Sequence, residues 1–183
     1  MDQQRVILAY KNFAANRNIS HIGLGVTAMN SAKFLRSAGI EAEVWAIAHA
    51  QELGKRMEGV RSNSPVTHVV ISAPWIPTAE LAGLSAGFPN TQFAVNCHSN
   101  LGFLQADPNA VRLVREGTDL ERTTWNFHVA ANNQRLANWL TDAYGVPSTW
   151  LPNLYYLDHS AQIARALFRG GTLRIGAFGA TRP

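Results

Sequence analysis

Short apolar runs that alternate with helix-length segments predict an α/β fold: a doubly wound parallel sheet with helices on both faces. Two observations carry this reading. Residues 5–10 (RVILAY) and 67–72 (THVVIS) are apolar nearly throughout, as strands buried on both faces are. Between such runs, caps, glycines and prolines punctuate stretches long enough for helices, which is the order of right-handed β-α-β units.

The elements follow in sequence. Residues 5–10 form the first strand, and a polar loop with three asparagines covers residues 11–20. His21-Ile22-Gly23-Leu24-Gly25 then opens a helix on which Leu24, Ala28 and Leu35 share a face, and Gly39 ends it. Residues 40–47 (IEAEVWAI) are the second strand and residues 50–57 a short helix. The third strand, 67–72, is closed by Pro74; a helix over 78–86 is weakened by Gly83. Residues 92–97 (QFAVNC) are the fourth strand. Asp107 caps a helix with Pro108 at its first position and Gly117 as its expected stop. Trp125, Phe127 and Val129 alternate with Asn126 and His128, the period of a half-buried strand. Asn132 or Asn133 caps the next helix, whose Leu136, Trp139, Leu140 and Ala143 fall on one face. Gly145 and Pro147 stop it, and residues 148–151 are the last strand of this unit. Trp125, Trp139 and Trp150 read as core.

Length and composition narrow the function classes. At 183 residues the chain suits one sizeable domain and is short for two. A hydrophobic fraction of 46% with 15% charged residues is that of a folded protein, not a disordered one. No apolar run approaches the ~20 residues of a membrane-spanning helix. The opening MDQQRVILAY carries Asp2 and runs straight into a strand, unlike a secretory signal. A single cysteine, Cys97, excludes an internal disulfide and fits the reducing cytoplasm. The net charge of +4 favours anionic partners, yet the arginines are scattered without interleaved aromatics, so nucleic acid is not expected.

After Asn153 the character changes. Residues 155–172 read as a linker with a short helix over 161–168 and a Gly170-Gly171 break. Residues 173–178 (LRIGAF) read as a new strand, and 179–183 (GATRP) as a turn. The expected organisation is a Rossmann-like domain over 1–154, a linker over 155–172, and over 173–183 the first strand and turn of a partner domain. An unpaired apolar strand bearing Leu173, Ile175, Ala177 and Phe178 invites either that missing domain or self-association.

Several of these segments together resemble GT-B glycosyltransferases of family four, specifically their N-terminal, acceptor-side domain. The pieces are Leu35 to Val44 as the link into the second strand, the strand end Asn96-Cys97-His98-Ser99, and the turn Tyr144-Gly145-Val146-Pro147. Leu151-Pro152-Asn153 and the stretch from Gly176 to Pro183 complete them. The glycine pair of that family's first loop stands here as Gly23-x-Gly25, and Leu154 replaces the glycine after Pro152-Asn153. The resemblance implies transfer of a sugar, with retention, from a nucleotide-sugar donor to a saccharide or lipid-linked acceptor. It implies no cofactor, the nucleotide-sugar being a co-substrate, and no protein-bound metal. It places the protein in the cytoplasm, with a peripheral contact at the inner membrane surface left open. The donor-holding glutamates would lie in the second domain, so this chain alone is expected to be inactive.

Candidate residues follow from position. Gly23 and Gly25 lie where a helix N-terminus offers unpaired N–H groups at the carboxyl ends of the strands; they either approach a substrate or permit tight strand–helix packing. His98, just past the fourth strand, matches the family's active-site histidine and is the catalytic candidate. Arg182 resembles the arginine that faces donor phosphates and joins the glycines as a substrate-binding candidate. His21 is a weaker loop ligand, and His128 reads as a satisfied strand histidine. Leu101, Phe103 and Leu104 pack under the next helix or contact a lipid-linked acceptor. The main rival reading is a stand-alone Rossmann-like domain that binds a nucleotide or a protein without catalysis. An NAD-dependent enzyme is disfavoured, because Ala28 stands at the third glycine of the dinucleotide fingerprint.

Overall fold

The computed structural model describes residues 4–12, 22–61, 64–99 and 101–156. The polypeptide builds a six-stranded sheet of order β2-β1-β3-β4-β5-β6, parallel at every pairing. Its strands are β1 (Arg5–Lys11), β2 (Glu41–Ile47), β3 (His68–Ser72), β4 (Gln92–Cys97), β5 (Phe127–Ala131) and β6 (Thr149–Trp150). The helices are α1 (Ile22–Ser37), α2 (Ala50–Val60), α3 (Thr78–Gly87), α4 (Leu101–Ala106), α5 (Pro108–Thr123) and α6 (Gln134–Tyr144). The Rossmann-like, doubly wound α/β architecture expected from the sequence is therefore the one observed.

The two faces of the sheet are covered unequally. On one, Ile7, Ile47, Val69, Ile71, Phe93, Phe127 and Val129 pack against buried residues of α2, α3, α5 and α6 in a single large core. On the other, Leu8 and Ala42 meet Ala28 and Ala32 of α1 in a small cluster. Right-handed crossovers cause this: only the β1-to-β2 connection moves leftward along the sheet, so among the described helices only α1 falls on its own side. The chain order also reverses between β1 and β3, the switch point at which open α/β sheets form a crevice at the carboxyl ends of the strands.

Local signals fix most boundaries. Asp107 accepts from Asn109 N–H and Ala110 N–H at the start of α5, and Asn133 accepts from Leu136 N–H at the start of α6. Gly145 (φ 67°) closes α6 in the left-handed region. Gly117, expected to stop α5, instead lies inside it. A Cβ there would come 3.2 Å from Val129 Cγ2, so the glycine lets α5 press onto β5. Leu104 of α4 is core, as the packing reading expects of that residue.

Three tryptophans correct the expected core. Trp125 is 68% exposed, Trp150 51% and Trp139 36%. The strand starts at Phe127, not Trp125, because the preceding turn sends Asn126 inward and Trp125 out. Asn126 is 2% exposed, and its amide nitrogen donates to the carbonyls of Ser85, Phe88 and Thr91 at 3.1, 3.2 and 2.9 Å. On α6 the buried stripe is Leu136, Ala137 and Leu140, one step round the helix from the expected face. His21, Arg182, the expected linker beyond Tyr156 and the expected terminal strand lie outside the described residues.

Candidate functional site

The small-helix face leaves a groove of about 260 Å³ between α1 and the chain segment that follows β6. Its floor is made by Val6 and Leu8 of β1 and Val70 and Ser72 of β3, and its α1 wall by Thr27, Ala28, Ser31 and Leu35. After β6 the chain returns across the carboxyl end of the sheet. Asn96 Nδ2 donates to Leu151 O at 3.1 Å, and Leu154 N–H reaches Ser31 Oγ at 3.4 Å. These two contacts place Asn153 and Leu154 opposite α1 and close the groove at that end.

Three polar side chains meet at this carboxyl end: Asn96 on β4, His98 just past it, and Asn153 in the returning segment. Asn96 Oδ1, His98 Nε2 and Asn153 Oδ1 are buried and have no hydrogen-bond partner among the described residues. Buried polar atoms are nearly always paired, so three orphans in one groove require an explanation. Their roles can be assigned. Asn96 uses its Nδ2 on Leu151 O, leaving Oδ1 as a free acceptor. Asn133 Nδ2 donates to Asn132 Oδ1 at 3.1 Å, which turns the Asn132 amide nitrogen toward His98 Nδ1 at 3.5 Å. An imidazole that accepts at Nδ1 carries its proton on Nε2, so His98 offers a donor to the groove. Burial pushes the His98 pKa below its ordinary value, which keeps the ring neutral at neutral pH.

The backbone beside this cluster is strained. Ala73, directly after Ser72, has φ 69°, in the left-handed region that a non-glycine residue avoids. Its N–H is held by Asn96 O at 2.9 Å. Strain of this kind, at the end of a central strand beside a polar cluster, is a recurring mark of sites.

Other groups are chemically quiet. Cys97 is fully buried and its thiol is pushed up to about 12 by desolvation, so it does not supply a thiolate. His128 lies between Glu121 Oε1 and Gln92 Oε1, each at 3.1 Å, which agrees with a satisfied strand histidine. Among the described residues no group of three or more His, Cys, Asp or Glu could hold a metal ion.

The sequence-based candidates separate here. His98 lies in the groove; Gly23 and Gly25 begin α1 at the same carboxyl edge but do not line it. A Cβ on Gly25 would come 3.2 Å from the Tyr10 ring, which is the close strand–helix packing one reading foresaw; Gly23 has nothing within 4 Å. Arg182 lies outside the described residues. None of Asn132, Asn96 and Asn153 was read as a site residue: Asn132 was a candidate helix cap, and Asn96 and Asn153 parts of strand ends. That position, shared with His98, was the signal that could have found them.

No family model and no curated protein matches this chain. A solved structure that does match is the C-terminal catalytic domain of peptidoglycan O-acetyltransferase A (OatA) from Streptococcus pneumoniae, with a methylsulfonyl adduct. It is 10% identical, with 83% of this chain and 82% of that chain covered and a TM-score of 0.48. That likeness is too slight to carry an argument about what this chain does. The glycosyltransferase expectation is corrected: no family model or curated protein of that class matches, and the matching solved structure is an O-acetyltransferase domain. The expected donor chemistry, enzyme class and polysaccharide role are withdrawn with it. The physical reason is that the resembling segments are strand ends, caps and turns. Parallel β-α units of many kinds need these, and here Gly145 caps α6 and Asn96 anchors Leu151.

Proposed function

We propose that this domain binds a small, uncharged, hydroxyl-bearing molecule at the carboxyl end of β3 and β4, with Asn96, His98 and Asn153 as its polar contacts. The observation that carries the reading is the set of three buried, unpartnered atoms, Asn96 Oδ1, His98 Nε2 and Asn153 Oδ1, facing one groove. Two are acceptors and one is a donor. A hydroxyl both donates and accepts, so a pair of neighbouring hydroxyls satisfies all three. Among the described residues lining the groove there is no Lys, Arg, Asp or Glu, and His98 is neutral. A bare charge placed there would be desolvated without a counter-charge, at high cost. The positive net charge of the chain therefore does not bear on this site. Among the described residues no helix is long and apolar enough to cross a membrane.

The test is a titration with glucose, and with glucose 6-phosphate as charged control, followed on the side-chain nitrogen signals of His98. Glucose should move the Nε2 signal and leave Nδ1 little changed; the phosphate ester should bind no better. His98→Gln, with a different donor geometry, should weaken the response at least ~10-fold, about 1.4 kcal/mol, as expected for loss of one good buried hydrogen bond. An Nε2 signal that no concentration of sugar moves rejects the reading.

A further inference from the structure

The groove has a direction. Its orphaned polar atoms are all at the carboxyl end, Val6, Leu8, Val70, Leu35 and Ile40 make its middle apolar, and Gln4 and His68 stand at the amino end. From Ser72 to His68 the floor runs roughly 13 Å, at ~3.3 Å per residue along β3. This stretch lies on the sheet face that, among the described residues, α1 alone covers, and Val6 and Val70 there are half-buried, whereas Ile7, Val69 and Ile71 on the opposite face are fully buried. A parallel sheet ordinarily buries both faces, so the apolar trough wants an apolar occupant.

We propose that the ligand is a neutral amphiphile, with its hydroxylated head on Asn96, His98 and Asn153 and a straight apolar tail lying along Val70, Leu8 and Val6. This rests on the hydroxyl-binding reading of the same groove and adds the ligand's other half. The head matches the polar carboxyl end and the tail the apolar middle of the trough, and the absence of Lys, Arg, Asp and Glu among its described lining residues excludes a fatty acid or a phospholipid headgroup as the better fit. The tail's contribution is non-directional and grows with the apolar surface removed from water. Full burial of one methylene strengthens binding by about fourfold, and partial burial by about twofold.

The experiment is calorimetric titration of the full chain with glucose and with hexyl, heptyl and octyl β-glucoside, all below their micelle concentrations. Affinity should rise about two- to fourfold with each methylene. Val70→Thr, which keeps the side chain's shape, should flatten that slope, since it puts a hydroxyl under the tail. Unchanged affinity along the alkyl series, with glucose still binding, overturns the amphiphile and leaves the hydroxyl site standing; it is also the result expected if residues beyond Tyr156 fill the trough. A slope that Val70→Thr does not alter places the tail elsewhere and overturns the proposal as well. If neither glucose nor any glucoside binds, the hydroxyl site itself falls.

Discussion

At the amino ends of the strands, Arg5 and Asn126 are each tied to several partners; at the carboxyl ends, Asn96, His98 and Asn153 are tied to few. The amino end holds Arg5, 8% exposed, whose guanidinium pairs with Glu43, meets Glu41 at 3.3 Å and donates to Ser64 O at 2.6 Å. Its N–H donates to Thr67 Oγ1 at 2.9 Å, and that hydroxyl in turn donates to Arg5 O. Nearby, Asn126 ties three backbone carbonyls. At the carboxyl end, Asn96, His98 and Asn153 each keep a buried atom unpaired, next to the strained Ala73. One sheet carries both arrangements, so the incomplete one is not a general looseness of the fold. Arg5 and Asn126 spend their polar groups on holding the chain together, whereas three atoms converging unpaired on one groove are placed to meet something else.

The largest expected effect is at the closed end. Asn126→Leu removes a donor from three buried carbonyls and places an apolar group where they converge. A loss of about 3–5 kcal/mol is expected, since each buried orphan costs about 1–3 kcal/mol. Urea unfolding measures it. A loss under about 1 kcal/mol would mean the amide is not a latch, and the contrast between the two ends would weaken.

Arg5→Met comes next, with an expected loss of about 2–3 kcal/mol near neutral pH. It strands Glu41 and Glu43 side by side, although both are about one-third exposed, which tempers the cost. Hydrogen bonds from Arg5 and then Trp45 hold the Glu43 carboxyl below its usual value. A carboxylate with a depressed folded pKa contributes stability that is fully present above the unfolded value, about 4.3, and fades as pH falls through the folded one. The gap between wild type and Arg5→Met should therefore be widest near neutral pH and narrow below about pH 4. A gap that stays constant with pH would show that Arg5 contributes by packing alone.

How much of this contrast was legible in the sequence depends on what a residue's duty is. The strand at residues 92–97, the Asp107-Pro108 helix start and the Asn133 and Gly145 caps are local signals, and local signals are written where they act. Trp125 was misread because its alternation with Phe127 and Val129 is local, whereas the inward turn of Asn126 depends on carbonyls 35 to 41 residues away. Gly117 was misread as a stop because the chain alone does not disclose how closely α5 approaches Val129. His98 was visible by its position past a strand end. Asn153 was not, because it enters the groove only when the chain returns from β6 and docks on Asn96 and Ser31. The site is assembled by long-range contacts, and punctuation shared by many parallel sheets was mistaken for a family signature.

The smallest effect at neutral pH, and the sharpest test of the open end, is His98→Leu. At about pH 8 its stability should lie within about 0.5 kcal/mol of wild type, because the variant loses only the long contact to Asn132 and sheds a desolvated Nε2. Below pH ~6.5 the two should separate. Burial lowers the folded pKa of His98, so in that window the unfolded chain takes up a proton that the folded chain resists, and stability falls with falling pH. The half-buried His68 is shifted the same way by burial, but it is present in both proteins and cancels in the comparison. Leucine cannot take up the proton, so the variant should overtake wild type by about pH 5. Chemical unfolding at a series of pH values measures the crossing. Parallel curves would mean that His98 titrates freely when folded; it would then be no fixed neutral donor, and the groove would lose the hydrogen bond on which its ligand reading turns.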